Sequence, residues 1–264
     1  MNLQLNNKTA LVTGSTAGIG LAIAEELARE AATVYVNGRT QRRVDEAIKR
    51  IRNAVPNAKV NGLAADLSTA AGAEKLFREL PAVDVLVNNA GTYQIKPFPE
   101  ITDADWLALF EANVMSGVRA SRHYLPAMLR KNWGRIIFIS SESAQQIPVE
   151  MIHYGMTKTA QLAVARGLAE TTAGTGVTVN SVLPGPTKSE GVERFVKDMA
   201  KKEGVSEAIV EKGFFKTARP SSLIKRFATP EEVAHLVVYV ASEKSSATNG
   251  AALRVDGGVV RSIL

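Results

Sequence analysis

Short apolar runs and amphipathic stretches alternate along this chain from its first residues. Runs of strand length lie near 9–13, 33–37, 58–62, 83–87, 134–139, 176–182 and 250–254. Several, such as Thr9-Ala10-Leu11-Val12-Thr13 and Ile136-Ile137-Phe138-Ile139, are nearly continuous in apolar residues, the mark of strands covered on both faces. The stretches between them place apolar residues at helical spacing, as in Leu21-Ala22-Ile23-Ala24-Glu25-Glu26-Leu27-Ala28. The alternation predicts an α/β fold, a doubly wound seven-stranded parallel sheet with helices on both faces, in a single domain over 1–264. One segment, 186–228, breaks the rhythm. It is rich in Lys, Glu, Gly and Phe, and its length marks it as functional rather than filler. It is expected to hold one or two short helices. The next helix opens at Thr229-Pro230-Glu231-Glu232, with Thr229 as its cap and Pro230 in its first turn.

Four segments add chemistry to this frame. Gly14-Ser15-Thr16-Ala17-Gly18-Ile19-Gly20 joins a strand to a helix N-terminus. Glycines there let the backbone approach a pyrophosphate, and free N–H groups with the helix dipole favour the anion. A plain tight turn is the competing account. Asp84-Val85-Leu86-Val87 ends in Asn88-Asn89-Ala90-Gly91, where amides tie strand ends together and small residues leave room for a flat ligand; an ordinary strand exit would look similar. The strand before Ser140 and Ser141 delivers hydroxyls to its C-terminal end, where open parallel sheets bind ligands. Tyr154 and Lys158 stand four apart, on one face of a helix. An ammonium near a phenol lowers the phenol's pKa toward the range useful for acid–base catalysis. A surface Tyr/Lys pair is the alternative for that spacing alone.

Composition narrows the class. A hydrophobic content of 45 % and a charged content of 22 % are those of a globular protein. No run approaches the ~18 apolar residues of a membrane span, and the N-terminal residues lack a signal-peptide core. There is no cysteine, so a disulfide framework, a thiolate metal site and a thiol nucleophile are excluded. His123, His153 and His235 lack metal-ligand spacing and read as structural. The formal charge of +6 comes from scattered basic residues. Arg42-Arg43 and Lys49-Arg50-Ile51-Arg52 read as the solvated face of one helix, so no nucleic acid is expected; an anionic cofactor or substrate accounts better for part of the charge. A cytoplasmic location is the expectation.

Taken in order, Thr13-Gly14-x-x-x-Gly18-x-Gly20, Asn88-Asn89-Ala90-Gly91, Asn113, Ser141, Tyr154-x-x-x-Lys158, Pro184-Gly185 and Leu253-Arg254-Val255-Asp256-Gly257-Gly258 resemble the short-chain dehydrogenase/reductase superfamily over essentially the whole chain. The subgroup most similar is the 3-oxoacyl-(acyl-carrier-protein) reductases. The resemblance implies a Rossmann-type fold and hydride transfer between a nicotinamide and a carbonyl or secondary alcohol. It implies that Tyr154 exchanges a proton with substrate, that Lys158 lowers the tyrosine's pKa and binds the nicotinamide ribose, and that Ser141 holds the substrate oxygen, with Ser143 as a second contact. Asn113 would support a water chain relaying the proton through Lys158. Around the cofactor it implies Gly14, Ser15, Thr16, Gly18, Ile19, Gly20, Asp66 (at the adenine), Leu67, Asn89, Ala90, Gly91, Tyr154, Lys158, Pro184, Gly185, Thr187 and Ser189. It implies that 186–228 is a mobile substrate lid. A homotetramer is implied as well, pairing through the helix of Tyr154–Ala173 and through Ala251–Val260.

Cofactor choice turns on Asn37-Gly38-Arg39-Thr40. An NAD enzyme of this kind usually places a carboxylate where Gly38 stands, whereas the Arg39 guanidinium suits a 2′-phosphate. Thr40 adds a hydroxyl or caps the next helix. NADP(H) is therefore expected over NAD(H). Ala17 departs from members that carry a second basic residue there. The carrier-protein label is weakened because only Arg130-Lys131 lies where a carrier would dock. A sugar or polyol dehydrogenase is the alternative enzyme, and a non-catalytic dinucleotide sensor the alternative of another class. Intact Asn113, Ser141, Tyr154 and Lys158 argue against the sensor.

Overall fold

The protein is described by a computed structural model covering residues 2–263. Seven parallel strands form one sheet: β1 Thr9–Val12, β2 Thr33–Gly38, β3 Val60–Ala64, β4 Val85–Asn88, β5 Gly134–Ile139, β6 Val177–Pro184 and β7 Ala252–Val255, in the order β3-β2-β1-β4-β5-β6-β7. The predicted strands all form, with bounds moved by two residues or fewer at each end. The largest shifts are at β3, β4, β6 and β7, where turn residues flank the apolar runs.

Alternation along the central strands builds two cores. Ala10 and Val12 of β1, Val85 and Val87 of β4, and Ile137 and Ile139 of β5 face one side. There they meet helices α1 (Gly18–Arg29), α2 (Gln41–Ala54) and α9 (Pro230–Ala241). Leu11, Leu86, Ile136 and Phe138 face the other side, against α3 (Ala70–Glu79), α5 (Ser116–Lys131) and α6 (Ile152–Thr171). Each fully buried Leu, Ile, Val or Phe of these sets contributes roughly 1.5–3 kcal/mol. Arg42, Arg43, Lys49, Arg50 and Arg52 lie exposed on α2, the solvated face expected. Its Val44, Ala47 and Ile51 are buried.

Parallel pairing sends every strand's C-terminus to one edge, and the loops that carry chemistry leave from there. Two details set their shape. Residues Glu111–Met115 form a π-helical turn between α4 (Asp103–Phe110) and α5, a feature often found at functional sites. The segment after β6 folds into α7 (Glu190–Glu203) and α8 (Glu207–Thr217), which are longer than the short helices expected. Val196, Ala200, Val210, Phe215 and Phe227 give this segment its own apolar cluster, with the Phe214, Phe215 and Phe227 rings 5.0–5.1 Å apart. Thr229 and Glu232 form a capping box at the start of α9, with Pro230 in its first turn, as the sequence predicts. No helix among the described residues is long and apolar enough to cross a membrane.

Candidate active site

The turn between β1 and α1 is held from both sides. Asn89 Nδ2 donates to the carbonyls of Thr13 and Gly14 at 2.9 and 3.0 Å, and the Thr13 hydroxyl accepts from the N–H groups of Asn89 and Ala90. Asn89 thus makes the tie between strand ends that the sequence suggested, while Asn88 turns away to Ser121 on α5. On the other side, Asn37 Oδ1 accepts from Gly14 N and its Nδ2 donates to the carbonyls of Leu63 and Ala65. Asn37 belongs to the site's frame and the sequence reading passed over it; its near-complete burial at a strand end is visible only in the fold.

The glycines are there for contact. Gly14 has φ +60°, and a Cβ on it would sit 2.9 Å from Ala90 Cα. A Cβ on Gly20 would sit 2.4 Å from Asn89 Nδ2 and 2.6 Å from the Gly14 carbonyl. Ala17 caps α1 with no side-chain bond, so the first N–H groups of that helix keep their donors for an anion. The Ser15 hydroxyl points inward, donating to Val12 O and accepting from Asn37 N; only the backbone of Ser15 is left for a ligand.

A cleft of about 440 Å³ runs along this edge, lined by Gly14, Thr16, Gly38, Arg39, Asp66, Leu67, Ala90 and Gly91 among others. Arg39 is exposed on it. Its neighbours Arg42 and Arg43 pair with Glu46 and Glu190, and among the ion pairs found between described residues none involves Arg39. Thr40 takes the N-cap position of α2 without a capping hydrogen bond, leaving its hydroxyl beside Arg39. Asp66 accepts from the Ser68 N–H and hydroxyl. A backbone cradle that side chains would fill, a helix N-terminus and a lone guanidinium fit a dinucleotide with a 2′-phosphate. Ser189 lines a second cavity with Gly18 and Lys188 at the α1 N-terminus, its Cβ 3.4 Å from where a Gly18 Cβ would be. Thr187 is buried, and its hydroxyl donates to Gly185 O.

Where the cleft turns under the segment after β6, Asn113, Ser141, Tyr154 and Lys158 come together. Asn113, fully buried in the π turn, accepts from Thr92 N at 2.7 Å and donates to Thr92 O and Thr157 Oγ1, both at 2.9 Å. Lys158 Nζ lies 3.7 Å from where a Gly91 Cβ would be. Ser140, a rival of Ser141, is spent in the frame: its hydroxyl donates to Lys158 O. Ser141, Ser143 and Tyr154 line a cavity of about 240 Å³ with Tyr93, Met151, Phe195 and Phe214. Ser141 accepts from Ser143 N and donates to Glu142 Oε2.

One expectation changes here, and one residue joins the site. Lys158 does not depress Tyr154. Its Nζ lies 5.6 Å from the Tyr154 ring centre and donates to Ile139 O and Gln161 Oε1. Burial, and next the charge of Glu142, push the Tyr154 phenol up, while hydrogen bonding with Ser141 and the charge of Arg219 oppose them. Burial also brings Lys158 down to about 8. The second finding is at Asn113. Its main-chain carbonyl accepts from Gln161 Nε2 at 2.6 Å, and Gln161 Oε1 accepts from Lys158 Nζ, so a side-chain amide that the sequence reading did not name links Asn113 to Lys158. Gln161 is three residues past Lys158, on the same helical face, and that spacing was the signal for it.

His153 is buried against Trp106, with Gln94 beside it. No metal-holding cluster of His, Cys, Asp or Glu occurs among the described residues.

Comparison with known proteins gives the family. The family model described as short chain dehydrogenase matches residues 8–200. The oxidoreductase YvaG of Bacillus subtilis is 48 % identical over 263 residues, covering 100 % of both chains. The 3-oxoacyl-[acyl-carrier-protein] reductase FabG of Aquifex aeolicus is 33 % identical, covering 98 % of this chain and 100 % of its own. Among solved structures, L-sorbose reductase from Gluconobacter frateurii, complexed with NADPH and L-sorbose, is similar with a TM-score of 0.92 at 31 % identity, over 100 % of both chains. With its seven-stranded parallel sheet and the Ser141, Tyr154 and Lys158 groups at one edge, the chain belongs to the short-chain dehydrogenase/reductase family, oxidoreductases acting on CH–OH and C=O groups.

Proposed function

We propose that this protein is an NADP(H)-dependent carbonyl reductase, with the corresponding alcohol oxidation as the reverse. The observation that carries this reading is geometric: the Tyr154 phenol, with Ser141 beside it, at the wall of a cavity next to the dinucleotide cleft. When bound, the nicotinamide supplies or takes the hydride. Tyr154 gives its phenolic proton to the oxygen formed from the carbonyl, acting as a general acid. Ser141 hydrogen-bonds that oxygen and stabilises its developing charge. Lys158 binds the nicotinamide ribose and replenishes the tyrosine's proton. Gly14, Thr16, Gly18, Ile19, Gly20, Asn89, Ala90, Gly91, Pro184, Gly185, Thr187 and Ser189 border the cofactor's path. Arg39 and Thr40 take the 2′-phosphate, and Asp66 with Leu67 the adenine.

Two substrate classes fit this chemistry. One is a 3-oxoacyl thioester, as the FabG relative's name implies; the other is a sugar or polyol, as for L-sorbose reductase. A screen of NADPH oxidation over acetoacetyl thioesters, diketones, quinones and sugars separates them. Tyr154→Phe should cost at least ~10²-fold in turnover with NADPH affinity retained. Turnover within about threefold of wild type would remove Tyr154 from the mechanism.

We also propose a tetramer paired through α6. Ala163 and Gly167 lie exposed on that helix, and nothing stands within 4 Å of a Cβ built on Gly167. Small residues of this kind let a second helix approach closely. Light scattering that finds only a monomer at micromolar concentration would reject it.

A further inference from the structure

Three charged side chains line the cavity at Ser141 and Tyr154: Glu142, Glu150 and Arg219. Glu142 is 4 % exposed and Arg219 9 %. Arg219, which follows α8, donates from Nε to Glu142 Oε1 at 3.0 Å. Its Nη1 donates to Ala218 O at 2.9 Å and lies 3.7 Å from Glu150 Oε1. Ser141 donates to the second oxygen of Glu142. One guanidinium therefore serves two carboxylates, and the three charges sum to −1.

A buried ion pair costs desolvation that its own attraction repays poorly. In a wall otherwise built from Tyr93, Met151, Val192, Phe195 and Phe214, an apolar substrate would leave that pair unused. Each Glu142 oxygen accepts one hydrogen bond from the protein and has capacity for another. No group among the described residues accepts from Arg219 Nη2. The wall thus offers an acceptor and a donor side by side. A hydroxyl is both donor and acceptor and answers both. A carboxylate answers only the donor and meets a net negative wall, and like-charge juxtaposition is costly.

Resting on the reading of this site as an NADP(H)-dependent reductase, we propose that Glu142 and Arg219 read a substrate hydroxyl. The substrate is then a neutral hydroxylated carbonyl compound, a hydroxyketone or ketose, reduced to a polyol. The same pair turns away carboxylate analogues of that compound.

L-Sorbose and 5-ketogluconate test this directly. They share one ketone flanked by hydroxylated carbons and differ at a terminal carbon, CH₂OH in one and carboxylate in the other. 2,3-Butanedione, which has neither group, serves as the reference. With NADPH, kcat/KM for L-sorbose should exceed that for 5-ketogluconate by about tenfold or more. Glu150→Gln, at a half-exposed position, removes one wall charge without touching the buried pair; it should narrow the ratio roughly twofold to fivefold. Glu142→Gln should move the preference toward 5-ketogluconate, because the net charge of the wall then falls from −1 to zero and Arg219 keeps only Glu150 beside it. Equal or better use of 5-ketogluconate by wild type overturns the proposal. So does a ratio unmoved in both variants, or reduction of 2,3-butanedione with L-sorbose untouched. If NADPH binds and none of the three carbonyls is reduced, this proposal falls; the reductase reading falls with it only if acetoacetyl thioesters and quinones are left unreduced as well.

Discussion

Lys158 is a buried ammonium whose cost can be measured. It is 6 % exposed, and burial takes its pKa from 10.5 to about 8. In the unfolded chain the group returns to water and its ordinary value. The folded pKa lies below the unfolded one, so between about 8 and 10.5 the unfolded state holds the extra proton and stability rises with pH. Below about 8 both states are charged and the full penalty stands. The displacement corresponds to about 3 kcal/mol. Lys158→Met keeps most of the apolar stem and removes the titration. It also leaves Ile139 O and Gln161 Oε1 without this donor, a cost of about 1–3 kcal/mol for each group left unpaired, but one that does not change with pH. The unfolding free energy of wild type relative to Lys158→Met should therefore rise by about 3 kcal/mol between pH 7 and pH 10.5. Urea unfolding of both proteins followed by circular dichroism, at several pH values in that window, gives the difference directly. A constant difference across the window would refute the burial argument.

Further substitutions probe the cofactor cleft. Arg39→Ala should weaken NADPH binding about 10- to 100-fold and leave NADH nearly unchanged, because hydrogen bonds to charged groups contribute roughly 1.5–3 kcal/mol; titrating both cofactors against both proteins checks it, and equal wild-type affinities would refute the 2′-phosphate role. Adding Gly38→Asp should invert the preference only when Thr16 is also reduced, since a Cβ at Gly38 would lie 2.4 Å from Thr16 Cγ2. Gly20→Ala forces Asn89 and the Gly14 carbonyl apart, so NADPH affinity should fall and unfolding free energy drop by about 1–3 kcal/mol; a variant that binds NADPH as wild type does would show that this contact is slack.

What the sequence made legible followed from periodicity and order. Continuous apolar runs such as Ile136–Ile139 could only be strands covered on both faces, and the glycines of Gly14–Gly20 could be placed between a strand and a helix. The cap at Thr229 was legible in its Thr-Pro-Glu-Glu pattern, whereas the grouping of Asn113, Ser141, Tyr154 and Lys158 came from the resemblance to the family. What stayed hidden depends on the direction a side chain takes after folding. The four-residue spacing places Lys158 on the face of Tyr154, but not its ammonium against the phenol. The amide of Gln161, one turn along the same helix, and the carbonyl of Ile139, which only tertiary structure brings close, compete for that ammonium. Asn37 and Glu142 were passed over as ordinary polar residues, since burial gives each its role. Arg219 lies 77 residues from Glu142, and no local pattern joins them.

The opposite shifts of Tyr154 and Lys158 have one cause. Burial penalises charge, so it raises an acid whose base form is an anion and lowers a base whose acid form is a cation. Burial therefore favours the neutral form of each group, which makes the Tyr154 phenol a weaker acid and the Lys158 ammonium a stronger one. Glu142 adds to this by opposing a second negative charge at Tyr154, and Arg219 subtracts from it. Arg219 stands in the segment after β6, whereas Glu142 stands on the sheet edge directly after Ser141. The Arg219–Glu142 hydrogen bond therefore joins the segment after β6 to the sheet edge, and the same contact offsets Glu142's field at the tyrosine. Removing the guanidinium leaves the Glu142 charge beside Tyr154 without that offset and raises the phenol further.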